Sequence, residues 1–543
     1  MVFARRSTTL LAAIIASCAM VLSLTACTSD NKTVVDGQTT VTSNSAGGVA
    51  VFTPSDGITL NQQMSLNKWA KLVPDLTKAL VDAGFKKGDI NHTTSDSLDK
   101  QSRAIQDFVV DHLSNNTTDD SGIAIAPDNM TLLVAPVVEA DASTRQYGDY
   151  VSQNLSTNDV TDEGATSDGE SSEDDSSKDD SSNTESDSTA SDEQAQAVDR
   201  LVSSLKLAKE SGMHVVLLGN SIEGYKPDAF VKFSDAQTIG KLQAEKMVSK
   251  LKLDKASKDN PKYIEVLLPY TAMDEKGNAN DSTFAQEAFR GIWQVLGSYY
   301  QKGVVESPSG TLDGKSTEND WQAVAYDAAK EGSTAKVLDK RLAKTDGQST
   351  LTRIDGIITM NDYIASEVVK ELDDLGYTGS AADINPQITI SGIVGNITGK
   401  KDLSRDAVPD PIKSPENDNA NDSSSSDDDA DKDTSASDKD RDSQWPLVTG
   451  YGAYVSNIPS IVNGKQWMTG MEDRQTIATD IAQACAKLNK DEALNSMPSI
   501  RNSEVGGVKK IPTISEPLLA VSASNLKSAL IDPGYISLAD AGL

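Results

Sequence analysis

The strongest constraint on the fold is a regular alternation. Short apolar runs with no polar side take turns with segments of helical period. The runs are Thr131-LLVAPV-Val138, His214-VVLL-Gly219, Tyr263-IEVLLP-Tyr270 and Asp355-GIIT-Met360. Runs of this kind read as strands buried on both faces. Further strands are expected at Gln387 to Val394 and Pro446 to Gly450. Helical spacing marks Leu66 to Gly84, Gln101 to Leu113, Ala195 to Ser211, Ala236 to Leu251 and Phe284 to Leu296. It returns at Asp320 to Lys330, Tyr363 to Leu375 and Arg474 to Leu488. Strand and helix in strict turn predict an α/β fold, with parallel sheets covered by helices on both faces. At 543 residues the chain is too long for one core, so two doubly wound lobes are expected.

Two tracts break the rhythm. Residues 157–193 hold fourteen acids against one Lys, and 404–442 is similarly rich in Ser and Asp. Neither has enough apolar surface to order itself, so both read as disordered surface insertions. They carry much of the net charge of -31. The balance argues against a nucleic-acid partner, which needs a basic face, though charge held in the tracts says little about the folded part. The 3 Cys and 3 His show no CxxC or HExxH spacing, so no metal or cofactor site is expected. His92, His112 and His214 are scattered, and Cys485 sits in a helical pattern as a small apolar residue.

The N-terminus reads as an export signal. Basic Arg5 and Arg6 precede an apolar run ending in Leu24-Thr-Ala-Cys27. This end resembles a bacterial lipobox. That resemblance implies removal of residues 1–26 and acylation of Cys27, which would tether the chain outside the cytoplasmic membrane. Residues 27–48 are Ser-, Thr-, Asn- and Gly-rich and read as a flexible tether.

Chemistry is sought next in Gly450-YGAYVSNIPSIVNGKQWM-Thr469, where a Gly-Lys pair precedes a helical segment. A phosphate loop needs Gly, four residues, then Gly-Lys-Ser or Gly-Lys-Thr. Pro459 stands at the first Gly and Gln466 follows Lys465, so no phosphate cradle forms. No nucleophile, base and oxyanion set assembles elsewhere, and no enzyme is expected.

Several ordered blocks instead resemble the sugar-binding branch of the bacterial type I periplasmic-binding-protein family. They are Asn67-Lys-Trp69 with its helix to Gly84, Leu133-Val-Ala-Pro136, Phe233-SDAQTIGKLQ-Ala244 and Met360-Asn-Asp362. The late Gly450–Thr469 block, Asn525-Leu-Lys527 and Ile531-Asp-Pro-Gly-Tyr535 complete the order. The resemblance implies two lobes joined by a three-segment hinge. One lobe would hold 49–233 and 472–511, the other 234–471 and 512–543, with ligand gripped between them.

The same resemblance implies ligand contacts at Trp69, Asn220, Ser234, Asp235, Asn361, Asp362 and Glu472, with Asn280 and Asp281 added from the loop before Phe284. Several charged sugar clamps of the family are replaced: by Gly219 and Asn220, by Ala236, by Gly452 or Val394, and by Lys68. Asn and Asp also dominate caps and turns, so each candidate has a structural use too. Trp69 has one as a packing residue. The implied function is a monomeric, membrane-anchored solute-binding lipoprotein that passes a sugar or related polar solute to an ABC permease. The alternative is a ligand-sensing or interaction lipoprotein that keeps the fold without sugar transport.

Overall fold

The computed structural model describes residues 32–35, 38–41, 46–55, 65–115, 125–138, 142–157, 185–272, 282–328, 330–343, 351–381 and 445–543. Within the stretch read as a tether, Lys32–Val35 and Gln38–Val41 pair as an antiparallel hairpin, a unit by itself. Residues 45–543 form one compact unit built around two parallel sheets.

The first sheet contains β1 (Gly48–Pro54), β2 (Ile90–Ser95), β3 (Met130–Val134), β4 (His214–Leu218) and β5 (Ala229–Lys232). They lie side by side in the order 2-1-3-4-5 and all run parallel. A late hairpin, Ile500–Val505 and Val508–Ser515, extends the sheet beyond β5, through the second of those strands. Alternation along β1 shows why both faces are apolar. Val49 and Val51 pack with helix α1 (Trp69–Asp82) and with the late helix Arg474–Leu488. Ala50 and Phe52 pack with α2 (Leu98–Asn115) and α3 (Glu185–Glu210). In α1 the apolar stripe is Leu72, Leu76 and Leu80, one turn apart and all buried.

The second sheet contains β6 (Lys262–Val266), β7 (Val305–Glu306), β8 (Gly356–Ile358) and β9 (Leu447–Val448), in the order 7-6-8-9, all parallel. Helices α4 (Ala236–Leu251) and α5 (Thr283–Gln301) cover one face, and α6 (Ser333–Arg341) and α7 (Asp362–Asp374) the other. Helices α4 and α5 touch backbone to backbone. A Cβ on Gly240 would lie 2.2 Å from Ala288 O, and one on Gly291 would lie 2.0 Å from Gln237 O. Only glycine fits at those two positions.

The chain passes between the halves three times. Phe233 to Asp235 lead from β5 into α4. Glu472 and Asp473 lead from β10 (Met468–Met471) into α8 (Arg474–Leu488). Glu516 to Leu518 lead from the late hairpin to β11 (Leu519–Ser522), which pairs antiparallel with β10. The strand Val508–Ser515 stays in the first sheet through Ser515, past residue 511 where the sequence reading closes that lobe.

Two further details differ from expectation. The helix expected over 320–330 ends after one turn, Trp321–Val324, because Ala325–Tyr326 leave to pair with Leu268–Pro269. Of the first acidic tract, residues 185–193 form the opening turns of α3. Residues 158–184, the second tract and the strand expected at 387–394 lie outside the described residues.

Candidate functional site

In open parallel sheets, ligands bind beyond the carboxyl ends of the strands, where the strand order reverses. Here the first sheet reverses between β1 and β3, and the second between β6 and β8. Segments that follow β1, β3, β8 and β9 meet. Ser65 Oγ and the Leu66 amide both donate to Gly452 O, at 2.7 and 3.0 Å. Asn361 Nδ2 donates to Gln146 Oε1 at 3.2 Å, and Tyr454 OH donates to Gln146 O at 2.7 Å. The junction between the halves is therefore polar and bridged.

Trp69 opens α1 and is only 3 % exposed. Its ring meets Tyr150 and Phe233 edge-on, with centroids 5.1 and 5.7 Å apart. It belongs to the first core. The start of α1 has no cap from Lys68, its N-cap residue. Asp149 replaces that cap: it accepts from the Trp69 amide at 3.1 Å and pairs with Lys68 Nζ at 2.8 Å. Asn220 follows β4, donating to Pro136 O at 2.9 Å and accepting from the Gln153 amide at 3.0 Å. Asp235 caps α4, accepting from the Thr238 amide at 2.7 Å and pairing with Lys232 at 2.9 Å. Asn361 caps α7, accepting from the Ile364 amide at 2.9 Å. It follows Met360, whose φ of 67° holds the strand end in a left-handed turn. Asn280 and Asp281 lie outside the described residues.

The two buried acids form hubs. Asp362 Oδ1 accepts from Gln466 Nε2 at 2.7 Å. Its Oδ2 accepts from the Tyr454 amide at 2.9 Å and Thr469 Oγ1 at 2.8 Å. Burial raises its pKa to about 6, against the pull of those donors. So Gln466 and Thr469, from the Gly-Lys-Gln block, anchor the loop between β9 and β10 rather than cradle a phosphate. Lys465 instead lies over the Trp445 ring at 3.6 Å and pairs with Asp373 at 2.9 Å.

Glu472 sits on the second crossing and reaches the first. Its Oε1 accepts from the Ser234 amide at 2.6 Å and from Tyr451 OH at 3.4 Å. Ser234 Oγ also bonds Tyr451 OH. Burial lifts the Glu472 pKa to about 7; the Ser234 and Tyr451 donors oppose this, and the Asp235 charge adds to it. Burial likewise drives the Tyr451 phenol well above its usual value.

Two cleft groups escaped the sequence reading. Asn67, 1 % exposed, accepts from the Glu472 amide at 3.3 Å, yet its Nδ2 is buried with no partner. Ser152 donates its amide to Ser234 O at 3.0 Å, and its Oγ is buried with no partner. Asn67 is two residues before Trp69 in the first resembling block, which was a signal for it. Nothing in the local sequence marks Ser152.

Among the described residues, no group of His, Cys, Asp and Glu could hold a metal ion. None of the described helices is long and apolar enough to cross a membrane. A cavity of about 500 Å³ opens at the opposite end of the first sheet, beside His214 and Asp228. Asp228 there is committed to the Val215 amide and to Lys209, both at 2.8 Å, so its charge serves the fold.

No known family model matches the chain. No curated protein matches it. Among solved structures it is similar to an ABC transporter solute-binding protein from Clostridium phytofermentans with bound β-D-glucose. Identity there is 17%, over 91% of this chain and 99% of that one, with a TM-score of 0.44. It is similar to a carbohydrate transporter solute-binding protein from Chloroflexus aurantiacus in complex with D-glucose, at 17% identity, 92% and 98% coverage and a TM-score of 0.43. A periplasmic ribose ABC transporter protein from Conexibacter woesei follows, at 12% identity, 90% and 96% coverage and a TM-score of 0.41. The residue assignments above rest on this chain's own geometry.

Proposed function

We propose that the chain is an extracytoplasmic solute-binding lipoprotein of an ABC importer, anchored through Cys27. It captures a carbohydrate or related polar solute between its halves, as a monomer, and hands it to a permease. The mechanism is reversible capture with hinge closure and no bond chemistry. One observation carries the reading. Segments beyond the carboxyl ends of the two sheets meet, and among them Asn67 Nδ2 and Ser152 Oγ are buried and unpartnered. An unpaired buried polar group costs about 1–3 kcal/mol, which a guest oxygen relieves. A sugar suits such a place, since its hydroxyls pair with amides and hydroxyls while its ring faces pack on aromatics.

The test is thermal shift against a panel of sugars and non-sugar solutes. A true guest at a hundred times its dissociation constant adds about 2.7 kcal/mol of stability. If only non-sugar solutes shift the transition, the carbohydrate assignment is wrong. Anchoring has its own test, because Cys27→Ser abolishes labelling by radioactive palmitate if Cys27 carries the acyl chains. A ligand-sensing or interaction role is the second reading. It is favoured because Asn220, Ser234 and Asn361 are already bonded within the chain. A permease and ATPase encoded beside the gene support transport, and a sensor kinase there supports sensing.

A further inference from the structure

The segment of residues 144–153, between β3 and α3, touches both halves. Its two tyrosines are three residues apart and enter different cores. Tyr150 packs in the first core, with its ring centroid 5.1 Å from Trp69 and 4.9 Å from Phe233. Tyr147 packs in the second, 4.7 Å from Phe284 and 6.4 Å from Tyr451. They are 1 % and 0 % exposed, so whichever of them leaves its core when the halves separate loses its burial.

The polar contacts follow the same division. Toward the first half, Asp149 holds Lys68 and the Trp69 amide, its own amide donates to Asn67 O at 2.8 Å, and Tyr150 OH donates to Lys68 O at 2.5 Å. Toward the second half, Gln146 accepts from Asn361 through its side chain and from Tyr454 through its carbonyl. Toward the first crossing, the Ser152 amide donates to Ser234 O. The Gln153 amide donates to Asn220 Oδ1 at 3.0 Å. Four of the candidate ligand residues, Trp69, Asn220, Ser234 and Asn361, therefore spend hydrogen-bonding capacity on this one segment.

We infer that residues 144–153 are an intramolecular strap that clasps the two halves together and competes with a guest for the amide groups of the cleft. A loop that merely covered one half would bury its aromatics on that half alone. This one divides them: its amides at 149 and 153 bond the first half, its amide at 152 bonds the first crossing, and Gln146 accepts from the second half through both its side chain and its carbonyl. A guest that takes the Asn361 amide must displace Gln146. Opening the halves must withdraw one tyrosine or the other.

Hydrogen exchange on the full chain tests this without any ligand. Two reporters lie off the strap: the Leu66 amide, which donates to Gly452 O across the cleft, and the Ser234 amide, which donates to Glu472. The double variant Gln146→Ala, Tyr147→Ala is expected to raise exchange at both by about tenfold or more, with Met130–Val134 and Gly356–Ile358 unchanged. If those sheet strands also speed up, the double variant has lost its fold, and Tyr454→Phe decides instead. It removes only the hydroxyl that reaches Gln146 O, and about a threefold rise at Leu66 is expected. Wild-type exchange at Leu66 and Ser234, in a variant whose residues 144–153 exchange freely, overturns the strap. Because no solute is used, that result leaves the solute-binding reading standing, and a failed sugar panel leaves the strap standing.

Discussion

Replacing Glu472 with Gln gives the most direct test of how the crossings are held. The carboxyl is 1 % exposed and lies between Ser234 on one crossing and Tyr451 beside the other. Burial, the largest influence, lifts its pKa from 4.5 to about 7. The unfolded chain ionises this group near 4.5, whereas the folded protein keeps the proton until about 7. In that window the folded state binds more protons, so stability falls as pH rises. The contribution is complete below pH 4.5, declines through the window and is gone above about pH 7, for a total of about 3 kcal/mol. Glu472→Gln resembles the protonated acid and keeps an oxygen for the Ser234 amide, but it cannot ionise.

The assay is urea denaturation of wild type and variant at several pH values, followed by tryptophan fluorescence. Asp362 titrates in the same direction, with a pKa of about 6, but it is present in both proteins and cancels in the difference. The variant should gain about 3 kcal/mol on the wild type between pH 4.5 and pH 8. A difference that stays flat with pH refutes the reasoning, because Glu472 would then titrate in the folded protein as it does in the open chain.

Asp362→Ala strips the acceptor from the Tyr454 amide, Gln466 Nε2 and Thr469 Oγ1, and should cost about 3–5 kcal/mol by the same denaturation assay. Gly291→Ala drives a methyl against Gln237 O, 2.0 Å away, and should destabilise by about 1–3 kcal/mol as α4 and α5 are forced apart. Ser152→Ala removes a buried hydroxyl with no partner, so the melting point should hold or rise while affinity for a guest falls about fivefold. A clear loss of stability would show that this hydroxyl serves the fold.

Much of this architecture is written in local pattern. Helices α4 and α8 begin and end where their apolar spacing does. Strands β3 and β4 are legible because both faces are buried, which leaves an unbroken apolar run. Strand β2 is not, because it is a sheet edge whose residues Asn91 to Thr94 are exposed, and Ile-Asn-His-Thr-Thr-Ser carries no apolar period. The late hairpin was missed for a related reason: its second strand has exposed lysines at 509 and 510, and its register is held by pairing with β5. The candidate site divides in the same way. Asn361 and Asp362 are marked by their place at a strand end, but their partners Gln146 and Gln466 lie 215 and 104 residues away in sequence. The strap is invisible before folding, since two tyrosines three apart in a polar stretch do not disclose that they serve different cores.

The charge ledger of the cleft narrows the chemistry of a guest. Asp362 takes three donors from its own half. Glu472 takes the Ser234 amide and the Tyr451 hydroxyl. Asp149 is neutralised by Lys68 and the start of α1. These acids are spent on positioning. Among the described residues, two of the buried groups left without a partner near these acids are neutral: the Asn67 amide nitrogen, which only donates, and the Ser152 hydroxyl, which does both. A cationic guest would need a free carboxylate, and an anion would enter beside two buried acids, so both are disfavoured. On the proposed function, the guest that pairs with both groups is neutral and rich in oxygen acceptors. Such a guest gains the Asn361 amide as well, once Gln146 lets it go.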